Sequence, residues 1–458
     1  MATRTTSCGR SIRSIASTRR SGSTIPRSRA RRRSCTAGSR RSPGTAARTN
    51  ATQDGSLLGG CRVLDLADLS GAVCGRILAD LGADVVKVEP PGGEPDRLQP
   101  PFVGDIENSE RSIPWLAANV NKRGITCDLT SKDGRAVFAR LASSARIVVE
   151  SFAPGRLREL GLEDALRDTI VVSITPYGQH GPLAGVPGSD LEVTAASGSL
   201  WLAGEEGRAP VRTAQPQSPY WSGMYGAMGA LVALRSPVAQ RVDVSAQAAM
   251  TTVHPPAPVW WDIAREEHGR TGPFLLGRSI VGSRFRNLWA CADGFVSFAI
   301  QGGPIGRHTG RMLAQWMAER GAVPPVIAAI DWDRFDNTTL TQAQVDELEA
   351  AIAPFLRSLT KTEFFSEVVK RKMLGYPVGD ASDSLADPQL RARDFWRTQV
   401  PANGLPPLRF PGGFALFDGE RPALRRPAPR VGEHNAELYG EAGVDADELA
   451  RLRATGTL

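Results

Sequence analysis

The chain has 458 residues and a mass of 49.0 kDa, enough for two or three domains at about 150 residues each. Its 41% hydrophobic and 22% charged residues are ordinary for a globular protein, and no run of about eighteen apolar residues is present to span a bilayer. An integral membrane protein is not expected.

The formal charge of +7 is unevenly placed. Residues 1–54 carry thirteen Arg, no Lys and one acid, Asp54, a net +12 that leaves −5 on the rest. A basic head on a mildly acidic body offers no ordered cationic groove, so nucleic-acid binding by the folded part is not expected. The head, residues 1–55, is rich in Arg, Ser and Thr and has no sustained hydrophobic period, which predicts disorder. Upstream sequence translated from a misplaced start is the favoured origin, ahead of a transit peptide or an RNA-binding tail. Six scattered cysteines without a C-x-x-C and five histidines without H-E-x-x-H support neither a disulfide framework nor a metal site. A reducing cytoplasm is the default location.

From Arg62 the chain alternates strand and helix. Arg62 to Leu66 reads as a buried strand, Ala72 to Leu81 as an apolar-periodic helix closing at Gly82, and Asp84 to Val88 as a second, β-branched strand. Together they form a right-handed βαβ unit, the building block of doubly wound parallel sheets. The pattern resumes with strands at Gly124–Asp128, Arg146–Glu150 and Ile170–Ile174, separated by a helix at Lys132–Ser143 and another from about Pro154. A helix begins at Asp190, whose first turn carries Asp190 and Glu192; a small-residue helix covers Met224–Leu234, and Arg241–Ser245 is a strand.

The middle changes character. Arg284 to Ile300 alternates as antiparallel strands about an Ala292-Asp293-Gly294 turn, and Thr309–Gly321 and Val345–Leu359 are amphipathic helices. Pro401 to Pro429 is Pro-rich and extended, and Asn435 to Leu452 is helical. The first βα turn has Gly71-x-x-x-Gly75 where a dinucleotide site needs G-x-G-x-x-G, so a cradled pyrophosphate is not expected; Glu89, placed where an acid could hold a ribose, is more simply a solvated strand end.

Several phrases stand in order along the chain: Leu78 to Arg97 (LADLGADVVKVEPPGGEPDR), Asn121 to Leu129 (NKRGITCDL), Val148 to Gly155 (VVESFAPG), Tyr177 to Pro182 (YGQHGP), Gly188 to Gly198 (GSDLEVTAASG), Arg241 to Ser245 (RVDVS), Ala386 to Arg393 (ADPQLRAR) and Arg426 to His434 (RPAPRVGEH). In this order they resemble the class III CoA-transferases, over roughly residues 57–458. The resemblance implies an α/β fold: a Rossmann-like large domain from both chain ends, here 56–225 and 400–458, with linkers and a smaller α+β domain at 226–399, in an interlocked homodimer.

It also implies a chemistry with coenzyme A as substrate and no other cofactor. The family's nucleophile is the Asp of a Gly-Tyr-Asp or similar triplet; Gly188-Ser189-Asp190 is the match, with Ser for Tyr. A carboxylate is a suitable residue type, because attack on an acyl-CoA thioester followed by return of the thiolate gives an aspartyl-CoA thioester without ATP. By position Arg97, Lys122, Arg123, Ser151, Phe152, Arg156 and Arg158 are the implied CoA contacts. Ser151, Ala153 and Glu159 replace residues frequent in the family, and only Gln301-Gly302-Gly303 stands where some formyl-CoA transferases close a tetraglycine loop, which disfavours formyl-CoA and oxalate as substrates.

Three competing readings remain. Asp190 could do no more than cap its helix. A sister branch of acyl-CoA racemases pairs an Asp with a His about thirty residues earlier, but here no His precedes His180, in the Gly-Gln-His-Gly-Pro turn. The chain could also bind CoA without turnover or serve as an inactive partner subunit, with Trp221, Trp260 and Trp261 more simply core or dimer-interface residues.

Overall fold

A computed structural model describes residues 56–458 apart from 268, 276–277 and 402–403. The expectations for residues 1–55 lie outside the described residues.

Six parallel strands make the main sheet: β1 (Arg62–Asp65), β2 (Asp84–Glu89), β3 (Arg123–Thr126), β4 (Ile147–Glu150), β5 (Ile170–Thr175) and β6 (Arg241–Ser245). Their order is β3-β2-β1-β4-β5-β6, so the winding direction reverses between β1 and β4. In such sheets the crevice beyond the carboxyl ends of the strands at that reversal is where ligands bind. The register is set by aliphatic runs that can be buried on both faces, such as Val63 to Leu64 beside Val85 to Val86.

One face, with Leu64, Val86, Val148 and Val171, packs against helix α2 (Lys132–Ala142) through Val137, Phe138 and Leu141. The same layer receives the chain's end, where Leu438, Tyr439 and Leu452 join the core and the Tyr439 hydroxyl donates to the Thr126 carbonyl at 2.7 Å. The other face, with Val63, Val85, Ile147, Val172 and Ile174, is covered by α1 (Ala72–Asp80) and α4 (Ser218–Ala233). Between α2 and α4 lies the short α3 (Asp190–Ala196), and α5 (Ala246–Thr251) follows β6.

Helix α4 starts six residues earlier than the small-residue pattern indicates, with Pro219 in its first turn. Its glycines are there for close approach: a Cβ at Gly223 would lie 2.6 Å from Val73 and one at Gly229 2.6 Å from Val242. The sheet layer includes the whole of α4 and, through its pairing with β5, β6.

A second core belongs to the middle of the chain. Leu288–Cys291 and Gly294–Ser297 pair antiparallel as expected, Tyr376–Pro377 adds a third strand, and Trp316, Met317, Ile352, Phe355 and Phe364 fill the space against helices Gly303–Glu319, Gln342–Arg357 and Lys361–Arg371. Within the segment expected to be simply extended, Leu408–Pro411 pairs with Trp396–Gln399. The final helical stretch is two helices, Asn435–Glu441 and Ala446–Ala454, parted where Gly443 takes a φ of 77° that favours glycine.

Candidate active site

At the reversal between β1 and β4 a cavity of about 340 Å³ opens beyond the strand ends. The loop after β1 contributes Asp68 and Ser70, the loop after β4 contributes Ser151 and Phe152, and the start of α3 contributes Ser189 and Asp190. Ser151 ties the first two loops together: its hydroxyl donates to Asp68 Oδ1 at 2.9 Å and accepts from the Asp68 backbone N–H at 2.9 Å.

Asp190 is the first residue of α3 rather than its cap. Ser189 is the cap, in a reciprocal box with Glu192, whose Oε2 accepts from the Ser189 N–H at 2.9 Å. The Asp190 carboxylate turns instead to the next helix. Its Oδ1 accepts from the backbone N–H groups of Gln217 and Ser218, both at 2.8 Å, and from the Ser218 hydroxyl at 2.9 Å. These are unsatisfied donors at the positive end of the 16-residue α4. Among the described residues no hydrogen bond reaches Oδ2. The group is thus half-buried, oriented through one oxygen and unengaged at the other, a geometry compatible with nucleophilic attack. Sequence reasoning missed Ser218, 28 residues away, because a cap delivered across the fold leaves no local signal.

Ser151, Phe152 and Asp190 are therefore brought together, and the remaining sequence-derived positions are not. Arg97 is 1% exposed, forks onto Glu89 at 2.6 and 2.8 Å and stacks on Trp115. Lys122 is fully buried, with Nζ on Asp65 at 2.7 Å and on the Ala72 carbonyl and Asn119 Oδ1 at 2.9 Å, so its three protons are used. Arg123 spans Asp84, Glu437 and Glu441. These three cations hold the sheet and the C-terminal helix together, and none of them lines the cavity. The same pairing answers Glu89: it is the buried partner of Arg97, not a solvated strand end. Gly75 matters for a related reason, since a Cβ there would meet the Asp65 carboxylate that pairs with Lys122.

Arg156, half-buried, and Arg158, exposed, sit on the short helix Arg156–Glu159 beside the β4 loop and pair with Glu159 and Glu163 at 3.0 and 3.2 Å. Exposed pairs of this kind contribute little to stability and can be given up to a ligand at small cost. His180 is exposed and does not line the cavity. Trp221 packs on the small cluster of Val193, Ala246 and Met250, while Trp260 and Trp261 are about half exposed. Among the described residues no group of three or more His, Cys, Asp or Glu is placed to share a metal ion, and no helix is long and apolar enough to cross a membrane.

Glu150 shapes the cavity from behind. Only 3% exposed, it accepts the Phe152 N–H at 2.7 Å. Burial pushes its carboxyl above the usual range, hydrogen bonds from Ser173 and Phe152 oppose the shift, and Asp243 adds to it. Ionising Glu150 therefore costs the folded state at neutral pH, and the cost vanishes as pH falls toward the unfolded carboxyl range near about 4. Glu150→Gln is expected to raise the melting temperature at pH 8 and to leave it unchanged at pH 4, as read by calorimetry at the two pH values.

A doubly wound sheet with a cavity and an oriented carboxylate at its reversal point has the arrangement in which sheets of this class bind ligands. The family is then given by sequence. The family model for CoA-transferase family III matches residues 58–435, and the chain belongs to that family. It is similar to the succinyl-CoA:(R)-benzylsuccinate CoA-transferase subunit BbsE of Thauera aromatica, 35% identical over 87% of this chain and 97% of the relative. It is also similar to the succinate–glutarate CoA-transferase of Agrobacterium fabrum, 29% identical over 84% of this chain and 95% of the relative. Among solved structures, a CAIB/BAIF family protein from Brucella suis superimposes with a TM-score of 0.71 at 25% identity, over 84% of this chain and 99% of that one.

Proposed function

We propose that the protein moves CoA from succinyl-CoA to a second carboxylic acid by way of an aspartyl-CoA thioester on Asp190. The observation that carries the reading is a carboxylate tethered through Oδ1 and unengaged at Oδ2, in the crevice of a CoA-transferase family III chain. Support for succinyl-CoA as the donor comes from the names of the two relatives, both of which pair succinate or succinyl-CoA with a further dicarboxylic acid.

The steps balance without ATP. Oδ2 attacks the thioester carbonyl, forming a mixed anhydride and expelling CoA thiolate. The thiolate attacks the Asp190 carbonyl, giving aspartyl-CoA and free succinate. The acceptor carboxylate then attacks aspartyl-CoA, and the released thiolate attacks the acceptor's carbonyl, which yields the new thioester and restores Asp190. The tetrahedral intermediates formed at the Asp190 carbonyl place negative charge on Oδ1, near the N-terminus of α4, whose N–H groups are already oriented. Incubating the chain with succinyl-CoA and a panel of dicarboxylic acids tests the reading: new acyl-CoA is expected with at least one acid, and none with any acid would contradict it.

The active species in this reading is a homodimer in a reducing cytoplasm. Tyr220, Met224, Met228 and Val232 recur every fourth residue along α4 and are 54%, 36%, 58% and 71% exposed, an apolar stripe that a second subunit would cover. Light scattering at micromolar concentration is expected to give twice the chain mass; a stable monomer would oppose it.

One observation favours a second reading. The Thauera relative is named as a subunit, and in this chain the Asp190 carboxylate already serves as a cap for α4. The chain would then be a partner subunit whose companion supplies the nucleophile. Transfer by the purified chain alone supports the first reading; transfer only after a second chain is added supports the other.

A further inference from the structure

Thr175 ends β5 at the rim of the cavity that holds Asp190. It is 3% exposed, and its Oγ1 is buried without a hydrogen-bond partner. Strand alternation sends its side chain to the face opposite Ile174, the face on which Phe152 packs. A buried hydroxyl with no partner is destabilising, and valine, of the same shape and at home in a strand, would remove the penalty. An unpartnered buried hydroxyl at the rim of a cavity calls for a partner from outside the fold, a water or a ligand.

We infer that Thr175 is a binding residue for the acyl half of the substrate, its hydroxyl donating to the thioester carbonyl oxygen in the cavity beside Asp190. The inference rests on the CoA-transfer reading and adds to it a contact that distinguishes acyl-CoA from free CoA. No bond is made or broken by Thr175. It fixes the carbonyl that Asp190 attacks, and the bond strengthens as charge gathers on that oxygen.

The test is binding by isothermal titration to two probes: CoA, and the succinyl-dethia-CoA analogue, which keeps the acyl carbonyl and replaces the thioester sulfur with carbon. Thr175→Val is expected to weaken the analogue about tenfold, the scale of one buried hydrogen bond, while CoA affinity is unchanged and the melting temperature is equal or higher. Thr175→Ser, which keeps the hydroxyl, is expected to restore binding of the analogue. Equal affinity of Thr175→Val and the unaltered chain for the analogue would overturn the inference, as would a matched loss of CoA affinity and melting temperature. If the unaltered chain binds neither probe, the CoA reading itself fails and the role of Thr175 falls with it.

Discussion

Replacing Asp190 by alanine is expected to lower CoA transfer by on the order of 10³-fold or more, because the group that would carry the covalent intermediate is gone. The same change strips the start of α4 of the acceptor for Gln217 N–H, Ser218 N–H and the Ser218 hydroxyl, a loss of about 1 kcal/mol on the scale of a helix cap. Asp190→Asn separates the two effects. The amide oxygen can still accept from α4, so stability should stay within about 0.5 kcal/mol of the unaltered chain, while the nucleophile is absent. Denaturant unfolding and a transfer assay on both variants read the outcome. Activity retained in Asp190→Asn would leave the carboxylate as a fastening between α3 and α4 and nothing more.

Lys122→Met is expected to destabilise the fold by about 3–5 kcal/mol, because it leaves the fully buried Asp65 carboxylate without its counter-charge. Burial already pushes the Lys122 ammonium below its usual range while Asp65 pulls it back up, so the two charges stand or fall together. Removing both, in Lys122→Met with Asp65→Leu, should recover much of the loss, since an apolar pair of similar volume carries no desolvation cost. Urea unfolding of the two single variants and the double variant measures the coupling. Transfer by the folded fraction should persist, because neither residue lines the cavity.

The parts of the fold legible in the sequence are those with a local signal. Arg62 to Glu89 could be read almost residue by residue, because two β-branched strands flank an apolar-periodic helix and Gly82 closes it. What escaped was long-range pairing of charge. Lys122 and Asp65 are 57 positions apart and Arg123 and Asp84 are 39 apart, so a phrase such as Asn-Lys-Arg reads as surface cations when both are structural. The site shows the same division. Ser151, Phe152 and Asp190 were named by their phrases and do share a cavity, but the fastening of Asp190 to Ser218 and the orphan hydroxyl of Thr175 exist only once β5, α3 and α4 are brought together.

The covalent intermediate is the claim from which the mechanism follows. Incubation of the chain with succinyl-CoA, quenching with hydroxylamine and mapping of the digested peptides by mass spectrometry tests it directly. A hydroxamate is expected on Asp190, formed only when succinyl-CoA is present, together with loss of transfer activity. An unmodified Asp190 in a chain that is transferring CoA would contradict it.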